Sequence, residues 1–590
     1  MSTDRRGLLV SAGRLAAAAA LAPDLAGAAP ARRPNVLILM TDQERHQDRL
    51  PDDLPTPVRC WLDANGTRID RFHASSMACS PSRACYWTGM YAPQTGMFGT
   101  FVLGTQFTMD PSIPTIGDLF KEVGYQTAFF GKWHLSFPGE PPTNLEAIVD
   151  IAKLNPLGGY GFDYSAISPP ADVGGYNDGY TNDPIWTAQA VDWLGRHAAD
   201  EQPWLCVLSL LNPHDIQFYP RGFRADFKRP DYDAKPEPSF FAEPSLGDKP
   251  SGQVRFRNTA SLVAGTPNAV QDSEEYWRGQ LNTYYDLIVG TDSMLGAAVK
   301  AVIDKGVLDD TVIVRTADHG ELGSAHRLQN KGTTMYDEQN RVPFTVMYPK
   351  RFPRGGRSQA LGEATDLVPT LLEIAGEANP AARWPWLRGV SLVGALENPR
   401  ARGPRASVLY RIDEFPIYNT GNAVPIRSHI RAIYDGRYKF ARYVAIEDQH
   451  FAGKEITDEQ EYEMYDTWED PYEIRNLAND PGYQRLRKEL LGWLYERENL
   501  LFVPVLLPPA GPGAPITKLP EVPSTGATNA SPPNPWVGSQ PGAYATVPAE
   551  QPGAASFLYE GGLPTGIGGP TTAQHALDQA RFFCELAPGA

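Results

Sequence analysis

The sequence predicts an α/β fold: a large mixed, mostly parallel sheet flanked by helices on both faces, with a smaller C-terminal α+β subdomain of antiparallel sheet plus helix. Three observations carry this expectation. Short continuous apolar runs at residues 35–40, 127–130, 204–211 and 311–317 suit strands covered on both faces. Amphipathic helical stretches fall between these runs. Past residue 400 the runs shorten and alternate, as antiparallel strands do.

At 590 residues the chain exceeds one simple core, and it divides by composition. Residues 1–31 read as a cleaved export signal, 32–400 as the main α/β domain, 401–500 as the antiparallel-sheet subdomain, and 501–590 as a Pro/Gly-rich tail with a terminal helix. The 53 basic and 69 acidic residues give a formal charge of −16, which argues against nucleic acid or an anionic membrane surface as the main partner. In the first segment, Asp4-Arg5-Arg6-Gly7-Leu8-Leu9 resembles a twin-arginine motif, and Ala26-Gly27-Ala28 offers a small-residue cleavage site. Arg14 and Asp24 interrupt the apolar run, so no membrane anchor of about 18 uncharged residues forms. The expected product is exported, periplasmic or secreted, with no membrane span in the mature chain. Five cysteines (Cys60, Cys79, Cys85, Cys206 and Cys584) are too few for a disulfide framework, and the odd count leaves one for a separate task.

In chain order, the 35–40 strand stops at Thr41-Asp42-Gln43. Ligands gather beyond the carboxyl ends of strands in open α/β sheets, although an acid there also suits a helix cap. The stretch Cys79-Ser80-Pro81-Ser82-Arg83-Ala84-Cys85-Tyr86-Trp87-Thr88-Gly89 comes next. Pro81 fits the first turn of a helix, which puts Cys79 at the N-terminus, where free donors and the helix dipole favour an anion. An ordinary helix end with a buried thiol, or a Cys79–Cys85 disulfide, fits the same residues. A helix over 114–124 ends on glycine, and the 127–130 strand delivers Gly131-Lys132-Trp133-His134. Lysine and histidine two apart on extended backbone lie on one side and can reach one oxyanion.

Residues 140–200 are rich in Gly, Pro, Tyr and Asp and read as loops, with a helix over 186–196. The 204–211 strand leads to Asn212-Pro213-His214-Asp215, and residues 217–270 read as irregular. Arg221, Arg224, Lys228 and Arg229 cluster there, either as a solvated surface or as a guide for an anion. A long helix is expected from Asp272, capped by Asp272 and Glu275, and ends at Gly306. The 311–317 strand then terminates at Asp318-His319-Gly320-Glu321. Strands that end at Asp42, Lys132, His214 and Asp318 thus all carry polar chemistry at the same kind of end. After Lys331, a strand over 342–348 and a covering helix over 366–375 complete this domain. Strands at 430–434, 439–445 and 463–465 and a helix to about Arg497 follow. The 503–570 stretch lacks the periodicity to form a core, and 575–586 is amphipathic enough to dock on the body.

The Cys79 stretch closely resembles the signature of the formylglycine-dependent (type I) sulfatases of the alkaline phosphatase superfamily. Cysteine, proline two residues on, arginine four on and a closing Thr-Gly are all present; Met90 stands where that family usually has a basic residue. Gly131-Lys132-Trp133-His134, Pro213-His214 and the segment from Ser324 to Lys331 match further elements of the family. Tyr465-Asp466, Asp470-Pro471-Tyr472-Glu473 and Asn476-Leu477-Ala478 are similar to its C-terminal subdomain.

The resemblance implies that a formylglycine-generating enzyme oxidises Cys79 to formylglycine, whose hydrate is the nucleophile. It implies one divalent metal held by Asp42, Gln43, Asp318, His319 and an oxygen on modified residue 79. Oxygen ligation favours Ca²⁺, with Mg²⁺ or, given one imidazole, Mn²⁺ as the other choices. It further implies that Lys132, Lys331, Arg83 and the metal stabilise the transferring group, that His214 with Lys331 protonates the leaving oxygen, and that His134 takes a proton from the second hydroxyl of the hydrate. The expected activity is release of sulfate from a small-molecule or carbohydrate sulfate ester. Gln43 and His319 stand where many sulfatases have Asp and Asn, which resembles the choline sulfatase and phosphonate monoester hydrolase branches. A phosphonate monoester hydrolase or phosphodiesterase with the same nucleophile, and a non-catalytic binding protein on this scaffold, are the competing readings.

Overall fold

The structure, a computed structural model, describes residues 32–100, 109–136, 155–167, 177–221, 223, 230–242, 246–413, 427, 429–446, 455–499 and 582–583. The export signal, Arg224, Lys228, Arg229, Cys584 and nearly all of the tail lie outside the described residues, as do parts of the 140–200 loops. From Pro34 onward the chain forms one compact unit.

Eight strands build the larger sheet: β1 (Asn35–Asp42), β2 (Thr67–His73), β3 (Gln126–Gly131), β4 (Tyr164–Ala166), β5 (Trp204–Pro213), β6 (Thr311–Ala317), β7 (Phe344–Met347) and β8 (Gly356–Glu363). Their order is β4-β3-β5-β1-β6-β7-β2-β8. β1 runs parallel to β5 and β6, and β3 parallel to β4 and β5. Only β7 is antiparallel to its neighbours, β6 and β2. The sheet is therefore mixed and mostly parallel, as expected.

Alternate residues of β1 feed two apolar layers, as the period-two pleat requires. Val36, Ile38 and Met40 share one cluster with Trp87 and Leu371, while Leu37 and Leu39 share the other with Trp61, Trp193 and Val299. Each such side chain contributes about 1.5–3 kcal/mol of burial. The helices that supply these layers are α1 (Pro57–Asn65), α2 (Cys79–Thr88), α3 (Ile116–Glu122), α4 (Asp178–His197), α5 (Glu274–Asp304) and α6 (Leu367–Ile374).

The smaller sheet holds β9 (Val408–Ile412), β10 (His429–Tyr434), β11 (Tyr438–Ile446) and β12 (Glu455–Asp466), antiparallel in the order β12-β11-β10-β9. Leu490 and Leu494 of α7 (Gln484–Asn499) join Phe440 and Met464 in its core. Lys439 of β11 ties this sheet to the main body through Met335 O at 2.9 Å, Asp337 at 2.5 Å and Glu473 at 2.6 Å.

Several expectations need correction. The cap of α5 is Ser273, whose side chain accepts from Tyr276 N, because the Asp272 carboxylate is engaged by Arg257 and Arg327. α4 begins well before Trp186 and runs on through Pro184, which lies in its interior. Residues 217–270 are not wholly irregular: Ser251–Ala264 is a helix whose sequence shows no apolar stripe because it buries Gln253 beside Glu463 and Tyr443. The Cys79–Cys85 disulfide does not form; Cys60, Cys79, Cys85 and Cys206 are all free. Met90 is buried in the main core, which suits an apolar residue at that position.

Candidate active site

The carboxyl edge of the large sheet gathers the predicted residues. β1 ends at Asp42, β6 leads directly to Asp318 and His319, and α2 starts at Cys79. Asp42, Cys79, Asp318 and His319 are fully buried, and one ligand atom from each lies within 4.8 Å of the others. Cys79 Sγ is 3.2 Å from His319 Nε2 and 3.9 Å from Asp42 Oδ1, while His319 Nε2 is 3.8 Å from Asp42 Oδ1 and 3.7 Å from Asp318 Oδ1. His319 Nδ1 faces Gly320 O at 3.0 Å, which leaves Nε2 for the cluster. Such an outer hydrogen bond commonly orients a metal-binding imidazole. Hard carboxylate oxygens with one imidazole, at separations an ion's coordination sphere spans, fit a divalent cation.

Behind the acids lies Arg83. Its Nη2 reaches Asp42 Oδ2 and its Nε reaches Asp318 Oδ2, both at 2.9 Å, while Nη1 donates to Lys132 O at 2.6 Å and Ser209 Oγ at 2.8 Å. The structure thus turns this guanidinium toward the two acids. Lys132 Nζ lies 2.8 Å from Asp42 Oδ2. Its backbone donates to Ser209 O at 2.8 Å, and a Cβ on the preceding Gly131 (φ +115°) would fall 1.9 Å from that same oxygen. Only glycine permits β3 to approach β5 so closely there.

On the other side, Lys331 Nζ donates to Gln43 Oε1 at 2.5 Å and Gln217 Oε1 at 3.3 Å. The Gln43 amide also donates to Asn330 Oδ1 at 3.2 Å and to Glu321, and its backbone N–H donates to Asp318 Oδ1 at 3.1 Å. Buried His214 opens the turn after β5, with its ring 6.3 Å from that of Phe218. Burial pushes its imidazole well below the usual range, reinforced by the charges of Lys132 and Lys331 and opposed by Asp42. His134 is buried with φ +59°, and its charge also bears on His214.

The acids titrate apart. Burial raises both, but Lys132, His214 and Arg83 together hold Asp42 well below the usual carboxylate range. Asp318 is pushed up by burial and then by the charge of Asp42. Against burial, Asp318 and then Cys79 hold His319 up to about 9. Perturbed and opposed groups of this kind mark functional sites.

A family model described as Sulfatase matches residues 34–377, and one described as N-sulphoglucosamine sulphohydrolase, C-terminal, matches residues 324–499. The chain belongs to the sulfatase family of the alkaline phosphatase superfamily. It is 25% identical over 534 residues to the N-acetylglucosamine-6-O-sulfatase of Bacteroides thetaiotaomicron, covering 79% of this chain and 86% of that protein. The solved structure of a 2-O GAG sulfatase superposes with a TM-score of 0.61 at 22% identity, over 79% of this chain and 92% of that one. The phosphonate monoester hydrolase of Silicibacter pomeroyi gives a TM-score of 0.58 at 20% identity, over 79% and 95% of the two chains.

This sulfatase also uses residues the motifs did not single out. Glu321 accepts from Gly323 N at 2.9 Å and Asn330 N at 2.8 Å as well as from Gln43, and so fixes the Lys331 segment. Its signal was a carboxylate two residues past His319. Ser209, the one hydroxyl in the 204–211 run, was similarly visible. Gln217 carried no signal. Of the expected basic cluster only Arg221 lies within the described residues.

Proposed function

We propose that this sulfatase hydrolyses a sulfate ester carried on a sugar, using Cys79 in its formylglycine form and one divalent ion held by Asp42, Gln43, Asp318, His319 and the residue-79 oxygen. The convergence of Asp42, Cys79, Asp318 and His319 within 4.8 Å, all buried, is the observation that carries this. The substrate class rests on the names of the N-acetylglucosamine-6-O-sulfatase and 2-O GAG sulfatase relatives.

The ion, Ca²⁺ by its oxygen ligands with Mg²⁺ or Mn²⁺ as alternatives, would supply Lewis acidity to the sulfate and to the residue-79 hydroxyl. Formylglycine would supply that hydroxyl together with a second one for release. The chain does the rest. Arg83 fixes the two acids, and Lys132 keeps Asp42 ionised. Lys331, held by Gln43 and Gln217, presents a preorganised cation to the transferring group. His214, held neutral by burial and the charges of Lys132 and Lys331, gains proton affinity beside a bound anion and protonates the leaving oxygen. His134 takes the proton that frees residue 79 for the next turnover.

Export through the 1–31 segment, maturation by a formylglycine-generating enzyme, and the division into catalytic, antiparallel-sheet and tail regions at residues 400 and 500 belong to the same proposal. Among the described residues no helix is long and apolar enough to cross a membrane. Mass spectrometry of the residue-79 peptide from the native host tests the nucleophile: an unmodified thiol removes this mechanism and favours a binding protein. Gln43 and His319 keep phosphonate chemistry as the second reading. A higher kcat/KM for a phenyl phosphonate monoester than for 4-nitrophenyl sulfate would establish it instead.

A further inference from the structure

His214 is presented by a turn whose backbone is gripped from behind by α4. Asp183 of that helix spends both carboxylate oxygens on the end of β5: Leu211 N donates to one at 2.6 Å and Asn212 N to the other at 2.8 Å. Asn212 Oδ1 then accepts from Asp215 N at 3.2 Å, and Asp215 Oδ1 accepts from Gly179 N, back on α4, at 3.4 Å. The loop of contacts starts and ends on one helix and encloses His214. Asp183 and Asp215 are fully buried, and the neighbouring charges that bear most on Asp183 are the carboxylates of Asp215 and Asp42. A buried carboxylate without a cation is costly to keep, and here all it holds is the strand end that carries the histidine.

Gly179 completes the grip. A Cβ there would lie 2.4 Å from Asn212 Cγ and Nδ2, so any larger residue must displace the carboxamide that caps Asp215 N. α4 itself cannot readily yield, because Trp186, Ala190, Trp193 and Leu194 are embedded in the apolar layer beneath β5. His214 Nδ1 has no hydrogen-bond partner among the described residues, so the placement of the ring depends on its backbone turn.

We propose that Asp183 and Gly179 are positioning residues for His214: the start of α4 is a brace that sets the imidazole at the leaving-group oxygen. The proposal rests on the reading that His214 protonates that oxygen. Proton donation matters most for poor leaving groups, so a misplaced His214 slows them selectively, whereas a merely softened fold slows all esters alike.

The test compares wild type, Gly179→Ala, Asp183→Asn and His214→Ala on a series of aryl sulfates from 4-nitrophenyl to phenyl sulfate. In Asp183→Asn one oxygen is replaced by an amide that cannot accept from the second N–H. We expect kcat/KM for phenyl sulfate to fall about 10²-fold in both brace variants and that for 4-nitrophenyl sulfate by no more than about threefold, with the steeper leaving-group dependence of His214→Ala. If His214→Ala is steep but both brace variants stay parallel to wild type, the brace is refuted and the acid role stands. If His214→Ala itself shows no added steepness, the acid role fails and the brace falls with it. Crystal structures of the two brace variants decide independently of turnover: an imidazole shifted relative to Lys132 supports the proposal, and a superimposable one overturns it.

Discussion

At the carboxyl edge of the eight-stranded sheet Arg83 and Lys132 meet Asp42 and Asp318; at the seam with the smaller sheet Lys439 meets Asp337 and Glu473. Both groups are buried and use the same residue types. At the seam the network closes. Lys439 directs its ammonium at two carboxylates and the Met335 carbonyl, and Glu473 also accepts from Asp337 N at 2.7 Å. At the edge it stays open: an oxygen each of Asp42 and Asp318, the Cys79 sulfur and His319 Nε2 face one another. Burial and then Asp42 lift Asp318, and Asp318 and then Cys79 hold His319 up to about 9 against burial; at the seam Lys439 and then His73 hold Asp337 well below the usual carboxylate range, while burial pushes Glu473 up to about 8 against the pull of Lys439. A closed network serves stability, and an open one stores unsatisfied interactions for a ligand.

The largest effect expected is on the open side. Cys79→Ala should lower kcat/KM by about 10⁴-fold or more, because the nucleophile and its partners act as one unit. Its melting temperature should stay within about 2 °C of wild type, since the thiol closes no network. Steady-state kinetics beside a thermal melt check both halves. A large loss of stability would mean that the edge cluster is structural after all.

Next comes the closed side. Lys439→Met leaves Asp337 and Glu473 buried without their cation, and breaking such a pair costs about 3–5 kcal/mol. Denaturant unfolding should show that loss, while kcat measured well below the melting point stays within about twofold of wild type. A loss of activity without a loss of stability would erase the distinction between the two networks.

The same contrast explains what could be read in advance. Strands β1, β3, β5 and β6 were legible because both faces are covered and their residues are continuously apolar; their polar terminal residues marked the site edge. β2 and β8 were not. Thr-Arg-Ile-Asp-Arg-Phe-His mixes charges with apolar residues: Arg68 pairs with Asp70 in the same strand, while its other partners, Asp48 and Asp63, and the Gly436 carbonyl that accepts from Arg71 are brought in by folding. The start of α5 was misread by one residue because Asp272 and Ser273 are both good caps, and the arginines that claim Asp272 come from elsewhere in the fold. At the site, Asp42, Lys132, His214, Asp318 and His319 were visible as residues on strand ends. The inward turn of Arg83 and the contact from Gln217 depend on side-chain directions that spacing does not encode.

A third test separates the regions by pH. His73, at the end of β2, sits against Tyr410, whose hydroxyl is 2.8 Å from its Nδ1, and burial pushes the imidazole down to about 3. The folded value lies below the unfolded value of about 6.5, so the contribution of His73 is complete above that pH and is lost as pH falls toward 3. The window is worth about 5 kcal/mol at most. Unfolding free energy measured from pH 7 to 4 should therefore fall more steeply in wild type than in His73→Phe. Equal slopes would show that His73 does not stay neutral in the fold.

The smallest effect concerns the chain end, which belongs to neither network. Phe583 is buried with its ring 5.4 Å from that of Trp61 in α1, and the Phe582 ring lies 5.1 Å from Lys300 Nζ in α5. Their apolar cluster contains Leu37 and Leu39 but none of the site residues. Removing a core phenylalanine costs about 3–5 kcal/mol when the whole fold depends on it. Residues 582–583 add only two side chains to that layer and open locally first, so the global penalty should be nearer 1 kcal/mol. Phe583→Ala should thus lower the melting temperature by about 1–3 °C, speed amide exchange in the peptide covering residues 57–65, and leave kcat/KM unchanged. Unchanged exchange would show that the chain end does not cover α1. A fall in kcat/KM with the melting temperature preserved would instead tie the chain end to the open network, the side of the comparison from which its packing now separates it.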